Sequence, residues 1–251
     1  MKGHLEGKVA LVTGGSSGIG RNSALAFARE GAKVVVADVL PEGGDETVRM
    51  IKEAGGEGVF VKADVSKETE VEALIAKTIE VYGRLDYAHN NAGIQGEKGT
   101  MTDCTEENWD RVMNINLKGI WLCMKYEIIY MVEHGGGAIV NTSSAVGLVG
   151  RPRYPAYVVS KHGVVGLTRV AALAYAKAGI RVNAVCPGPI DTAMGERVRT
   201  DYPGAGIATD VPLGRRGNPK EVAEVVVWLC SDAASYVTGV AMPVDGGWLA
   251  Q

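Results

Sequence analysis

The sequence predicts an α/β protein: a doubly wound, seven-stranded parallel sheet with helices on both faces. Three observations point there. Seven apolar runs of strand length are separated by six segments of helical period, the pattern of strands joined by crossover helices. Such strands are buried on both faces, and right-handed crossovers wind the sheet in two directions from its middle. Glycine supplies 34 of the 251 residues, roughly twice its usual share, while the net charge is only −3. With apolar residues plentiful, that excess marks tight turns and close backbone approaches rather than disorder. Ligands of such a sheet bind at the carboxyl ends of its strands.

Each element follows in order. Lys8–Thr13 is an apolar, strand-length run that stops in a glycine-rich turn. Gly18–Gly31 reads as a helix, with Ala24, Leu25, Phe27 and Ala28 on one face. Lys33–Asp38 is the second strand, and an amphipathic segment covers Gly44–Ala54. Gly58–Ala63 is the third strand, Lys67–Tyr82 a helix and Leu85–Asn90 the fourth strand. Glu106–Glu133 reads as one long helix, Ala138–Thr142 as a strand and Ala156–Ala178 as another long helix. Ile180–Cys186 is the sixth strand, Pro219–Cys230 a helix, and Val240–Val244 closes the series. No fixed-period repeat or low-complexity linker interrupts it, so residues 1–251 read as a single domain. The one long irregular stretch, Gly188–Asn218, is rich in Gly and Pro and is expected to be a lid or binding loop.

Composition narrows the function. With 26 basic and 29 acidic residues the chain presents no surface suited to nucleic acid or an anionic membrane. No apolar run approaches the roughly 18 residues that span a bilayer, and the first residues carry no export signal. Cys104, Cys123, Cys186 and Cys230 are scattered without a Cys-x-x-Cys, which reads as reduced core thiols in a cytoplasmic protein. The four histidines add no metal spacing, so no metal is expected.

Two constellations carry chemistry. The first is Thr13-Gly14-Gly15-Ser16-Ser17-Gly18-Ile19-Gly20, between the first strand and the first helix. Glycines there let backbone N–H groups and a helix N-terminus face a pyrophosphate. Their spacing is Gly-x-x-x-Gly-x-Gly rather than G-x-G-x-x-G. Asp38, 18 residues after Gly20, ends the second strand, where a carboxylate accepts hydrogen bonds from ribose hydroxyls and repels a 2′-phosphate. Neither Ser17 nor Val39 supplies a cation to offset that repulsion. Asp64-Val65 and Asn90-Asn91-Ala92-Gly93 end the third and fourth strands, where a nucleotide would cross the sheet edge. The second constellation is Asn116, Ser144, Tyr157 and Lys161. Tyr157 and Lys161 share one face of a helix start, and an ammonium near a phenol pulls its pKa below the usual value of about 10. That yields a proton donor or acceptor usable near neutral pH.

In order and spacing these segments resemble the short-chain dehydrogenase/reductase family, in its compact branch of about 250 residues, essentially end to end. The glycine turn is similar to the family's TGxxxGxG, Asn90–Gly93 to its strand-four motif, and Tyr157-Val-Val-Ser-Lys161 to YxxxK. Val140–Ser144, Ile115–Gly119, Pro187–Thr192 and Asp245–Gly247 match its remaining segments. Val159 where alanine is frequent, and Asn22-Ser23 after the turn, are small departures.

The resemblance implies a Rossmann-type fold and roles residue by residue. Tyr157 is the expected general acid/base, and Lys161 lowers its pKa and bonds the nicotinamide ribose. Ser144, preferred to Ser143 because it lies 13 residues before Tyr157, holds the substrate oxygen. Asn116, rather than Asn114, holds a water linking Lys161 to solvent. Gly14, Ser16, Ser17, Gly18, Ile19 and Gly20 would cradle the phosphates and Asp38 the ribose. Asp64, Val65, Asn91, Ala92 and Gly93 line the adenosine side, and Pro187, Gly188, Ile190 and Thr192 the nicotinamide side. The cofactor implied is NAD(H), and the reaction interconverts a secondary alcohol and its ketone.

Alternatives stay open: an NADPH-dependent 3-oxoacyl reductase or a sugar 1-dehydrogenase of the same family, and, outside catalysis, a dinucleotide-sensing protein. A longer-branch nucleotide-sugar epimerase would need a C-terminal domain for which 251 residues leave little room. The substrate wall is expected from Ala145, Val146, Ile94–Glu97, Tyr154 and the lid around Met194–Val198. Being mostly apolar, it favours a hydrophobic, cyclic alcohol, although Arg151 and Arg153 could instead recognise a carboxylate. Self-association as a homotetramer is implied by the family's pairing of the helices after strands four and five. Here those are Glu106–Glu133, with Trp121, Leu122 and Met124, and Ala156–Ala178, with Val165, Leu167, Val170 and Leu173. The apolar end, Trp248, Leu249 and Ala250, suits burial against a neighbour.

Overall fold

Buried along its whole length, Val9–Thr13 (β1) is the strand around which the others are laid. It pairs in parallel with Lys33–Asp38 (β2) on one side and Tyr87–Asn90 (β4) on the other. Beyond β2 lies Gly58–Lys62 (β3); beyond β4 lie Gly137–Thr142 (β5), Ile180–Pro187 (β6) and Ala241–Val244 (β7). The computed structural model describes residues 4–196 and 211–251, and within them the sheet order is β3-β2-β1-β4-β5-β6-β7, all parallel. The winding reverses between β1 and β4, so a crevice opens at their carboxyl ends. Positions 197–210 of the expected lid lie outside the described residues.

The sheet is covered by Gly18–Arg29 (α1), Pro41–Glu53 (α2), Glu68–Tyr82 (α3), Glu106–Met113 (α4), Gly119–Glu133 (α5), Pro155–Tyr175 (α6) and Pro219–Cys230 (α7). Alternate residues of the same strands feed two cores. Ala10, Val12, Val34 and Val36 join Phe27 of α1 and Val226 of α7 on one face. Leu11, Val35 and Ala37 join Leu74 of α3, Met124 of α5 and Val164 of α6 on the other. Near-continuous apolar strands are the sequence cause of this two-sided burial.

Three expectations change. The long helix over 106–133 is broken by one π turn, Asn114–Lys118, between α4 and α5. Asn116 sits in that turn, fully buried, and its amide bonds both backbone groups of Ile94: Oδ1 accepts from the N–H at 2.8 Å and Nδ2 donates to the carbonyl at 2.7 Å. Such widened turns often mark functional positions. α2 begins at Pro41, not Gly44, because Pro fits the first helical turn. Gly43 and Gly44 are helical and provide clearance instead: a Cβ on Gly43 would press on Ser16, and one on Gly44 would enter the Phe60 ring. Finally, Leu122, Met124 and Val165, expected on an outer surface, pack inside, whereas Trp121, Val170 and Leu173 are exposed.

Candidate active site

The turn after β1 is held from the neighbouring strand. Asn91 donates from Nδ2 to the carbonyls of Thr13 (3.2 Å) and Gly14 (3.3 Å), while the Thr13 hydroxyl oxygen accepts from the N–H groups of Asn91 (3.0 Å) and Ala92 (3.2 Å). Gly14 (φ +66°) and Gly18 (φ +52°) take the left-handed conformation this path requires. Gly20 does not line the cavity; a Cβ there would collide with the Gly14 carbonyl, so Gly20 lets α1 close on the turn. At the N-terminus of α1, Ser17 makes no side-chain cap and no acidic residue occupies the first turn. The N–H groups and positive pole of α1 therefore face the cavity, bordered by Gly14, Ser16, Ser17, Gly18 and Ile19. That cradle fits a pyrophosphate.

Asp38 stands beside it. Its Oδ2 accepts from the Ser16 N–H and its Oδ1 from the Leu40 N–H, both at 3.1 Å. The nearby Arg21 is engaged elsewhere, donating to the Ser16 carbonyl, to the Gly43 carbonyl (3.2 Å) and to the Thr47 hydroxyl (3.0 Å), and it does not border the cavity. Among the described residues the cations lining the cavity are Lys161, Arg151 and Arg216, borne by α6 or by the segments after β5 and β6. Asp64, Val65, Asn91, Ala92 and Gly93 line it between these ends. Asp64 is partly engaged in a local turn, accepting from the Ser66 N–H (3.0 Å) and hydroxyl (2.7 Å).

Tyr157 and Lys161 project from the start of α6 into the same cavity. Lys161 is 3% exposed, and its ammonium donates to the Thr142 carbonyl at 2.8 Å, leaving Nζ 5.6 Å from the centre of the Tyr157 ring. Burial lowers the lysine to a pKa of about 8. Burial also pushes the Tyr157 phenol above its ordinary value, opposed by a hydrogen bond with Ser144. This corrects the expectation that Lys161 holds Tyr157 below 10: the ammonium is aimed at a main-chain carbonyl instead. Ser144 borders the cavity, and its Oγ accepts from the Val146 N–H at 3.3 Å. Ser143 borders the cavity too, but its hydroxyl is engaged, donating to the Lys161 carbonyl at 2.8 Å. Asn116 lies outside the cavity lining, its amide occupied by Ile94 and, through Nδ2, by the Ser160 hydroxyl at 3.3 Å. The Asn116 side chain is thus engaged in holding the turn.

Pro187, Gly188, Ile190 and Thr192 also line the cavity, which measures roughly 480 Å³. Of the expected substrate wall, Ala145, Val146, Ile94, Gln95, Tyr154, Met194, Gly195 and Arg151 are present; Gly96, Glu97, Arg153 and Glu196 are not. Glu97 pairs with Arg111 (3.5 Å), and Arg153 takes a left-handed turn at φ +75°. Positions 197 and 198 lie outside the described residues. Trp248 is partly buried and borders the cavity, with the Arg151 guanidinium 5.9 Å from its ring. Sequence reasoning missed that role, together with the Thr142 carbonyl and Arg216. No motif marks Trp248 or Arg216, and the segment Val140–Ser144 contains Thr142 without showing where its carbonyl points.

Comparison with known proteins adds names to this geometry. The family model described as enoyl-(acyl carrier protein) reductase matches residues 14–249. A 2,5-dichloro-2,5-cyclohexadiene-1,4-diol dehydrogenase of Sphingobium indicum is 45% identical over 249 residues, 98% of each chain. A cyclohexanol dehydrogenase of an Acinetobacter species is 42% identical, covering 99% of this chain and 97% of its own. Among solved structures, levodione reductase superposes with a TM-score of 0.95 at 39% identity, over 98% of this chain and 99% of that one. A putative 2-deoxy-D-gluconate 3-dehydrogenase from Agrobacterium tumefaciens, with bound NADP, gives a TM-score of 0.91 at 36% identity over 98% of both.

Proposed function

This chain belongs to the short-chain dehydrogenase/reductase family, and from that premise we propose that it interconverts a hydrophobic, cyclic secondary alcohol and its ketone with NAD(H). Oxidoreduction of a secondary alcohol and ketone is the activity its relatives share in name; the cyclic substrate and NAD are our finer reading. One observation carries it. Tyr157, Ser144 and Lys161 stand on one wall of the cavity into which the uncapped α1 opens.

The dinucleotide supplies the carbon that accepts or returns hydride. Gly14, Ser16, Ser17, Gly18 and Ile19 would hold its phosphates, Asp38 its adenosine ribose, and Ile190 and Thr192 its carboxamide end. The chain's own side chains do the rest. Ser144 holds the substrate oxygen by a hydrogen bond beside Tyr157. In oxidation Tyr157, as phenolate, takes the hydroxyl proton from that oxygen; in reduction its phenol returns it. Lys161, buried and cationic, favours the phenolate once its ammonium is turned from the Thr142 carbonyl. Ile94, Ala145, Val146, Met194 and Trp248 offer a ring apolar contact and exclude water. The relatives named for cyclohexadienediol and cyclohexanol support a ring over a polyol.

Asp38 supports NAD. A carboxylate facing a 2′-phosphate without a compensating cation disfavours NADP by on the order of a hundredfold. The test is kcat/KM for NAD⁺ and NADP⁺ with cyclohexanol as probe; Asp38→Ala should narrow the gap. Equal or better use of NADP⁺ by the parent overturns the assignment. A cytoplasmic location is supported by four free cysteines, and no helix among the described residues is long and apolar enough to cross a membrane. Self-association as a homotetramer completes the proposal.

A further inference from the structure

His89, at the end of β4, is fully buried and does not border the cavity. Its Nε2 lies 2.8 Å from the Thr142 hydroxyl, and its Nδ1 has no partner. The direction of this contact is assigned from the far end. Asn91 must turn its amide nitrogen to the Thr13 and Gly14 carbonyls, so its Oδ1 faces Thr142, whose hydroxyl donates to it at 3.3 Å. A hydroxyl has one proton, so the proton between His89 and Thr142 comes from Nε2. Burial lowers the imidazole to a pKa of about 3, which keeps this donor neutral. A chain of oriented bonds therefore runs from His89 through Thr142 and Asn91 to the glycine turn.

An apolar side chain would fill this core position without leaving a ring nitrogen unpaired, so the imidazole needs a gain elsewhere. We propose that His89 is a positioning residue of the dinucleotide site: its Nε2–H orients the Thr142 hydroxyl, which orients Asn91, which holds the turn that receives the pyrophosphate. The inference rests on the dinucleotide reading above. It also separates two duties of Thr142. The side chain serves the glycine turn, whereas the backbone carbonyl receives Lys161 and does not depend on His89. Loss of His89 should weaken cofactor binding and leave proton transfer alone.

Glutamine reaches as far as Nε2 and can donate there; asparagine reaches only as far as Nδ1; leucine donates nothing. NADH binding by fluorescence titration should weaken about fivefold in His89→Leu and His89→Asn, the loss of one hydrogen bond, with His89→Gln restoring it. The KM for NAD⁺ should rise by the same factor, while kcat at saturation and its pH profile hold. A merely structural histidine would lower the melting temperature and leave the dissociation constant of the folded protein unchanged. That result, or His89→Gln binding as weakly as His89→Leu, overturns the proposal. Should His89→Leu not fold, Thr142→Val must weaken NADH more than Thr142→Ser, and equal binding by those two overturns it as well. A parent that binds neither NADH nor NADPH sinks the dinucleotide reading and this inference with it. A parent that binds beside indifferent variants sinks the inference alone.

Discussion

A phenol that must give up its proton, placed where burial favours keeping it, is the central tension at Tyr157. Deleting only its oxygen tests the proposed role most directly. Tyr157→Phe should reduce turnover by about 10²–10⁴-fold, the usual share of general acid–base catalysis, with NADH affinity within about twofold of the parent. Activity within a few-fold of the parent would remove Tyr157 from the mechanism. Absorbance difference titration of parent against variant, without dinucleotide, should show Tyr157 ionising only above pH 10; ionisation below pH 9 would mean that Lys161 already acts on it. The residues that matter were readable as types at fixed spacing, and the structure brings Tyr157, Lys161, Ser144 and the glycine turn to one cavity. Their directions were not readable. The partner of Lys161 is the carbonyl of Thr142, and every residue has a carbonyl, so no letter announces it. Trp248 was likewise illegible, since an apolar tail looks the same against a neighbour as against its own cavity.

Elements are tied together by polar contacts that hydropathy patterns cannot show. Glu127 of α5 is fully buried, accepts from Asn90 Nδ2 of β4 at 2.9 Å, and leaves Oε1 unpaired. The same Asn90 nitrogen reaches Asn141 of β5 at 3.1 Å, and Asn141 donates to Thr168 of α6 at 3.0 Å. Burial pushes the Glu127 carboxyl up to about 8 from 4.5. Between those values the folded chain holds a proton that the unfolded chain has released, so stability falls as pH rises through that window and is flat beyond it. Glu127→Gln cannot ionise and lacks this slope. Its melting temperature relative to the parent should therefore climb from pH 5 to pH 8, as scanning calorimetry would show. A pH-independent difference would mean that the carboxyl is not held protonated. The π turn was illegible for a related reason: widening one turn leaves the apolar period of 106–133 nearly intact, and only the buried Asn116 marks it. The start of α2 was hidden because glycine, a usual stop signal, serves there as clearance for Ser16 and Phe60.

At the scale of the whole molecule the sheet was legible because its strands are apolar on both faces, which only a covered parallel sheet explains. What covers the outside of the helices was not, because a helix with apolar residues all round does not say which of them its own sheet claims. The structure divides them. Leu122, Met124 and Val165 face inward; Trp121, Ile129 and Val132 of α5 and Val159, Val170 and Leu173 of α6 face outward, Leu173 at 86% exposure. On α6, Val159, Gly166, Val170 and Leu173 lie along one stripe whose centre is small; a Cβ on Gly166 would meet nothing, whereas one on Gly163 would press on Leu117 of the same chain. A stripe of that form suits close approach of a second helix, and a two-fold axis lets it meet its own copy. The proposed tetramer would cover it. Light scattering of the parent at micromolar concentration should give a multiple of the 26.4 kDa chain. Leu173→Glu places a charge in the stripe without touching either core, so it should lower that mass while the circular dichroism spectrum is unchanged. A parent at the mass of one chain refutes self-association, and a Leu173→Glu variant that keeps the parent's mass removes α6 from the interface.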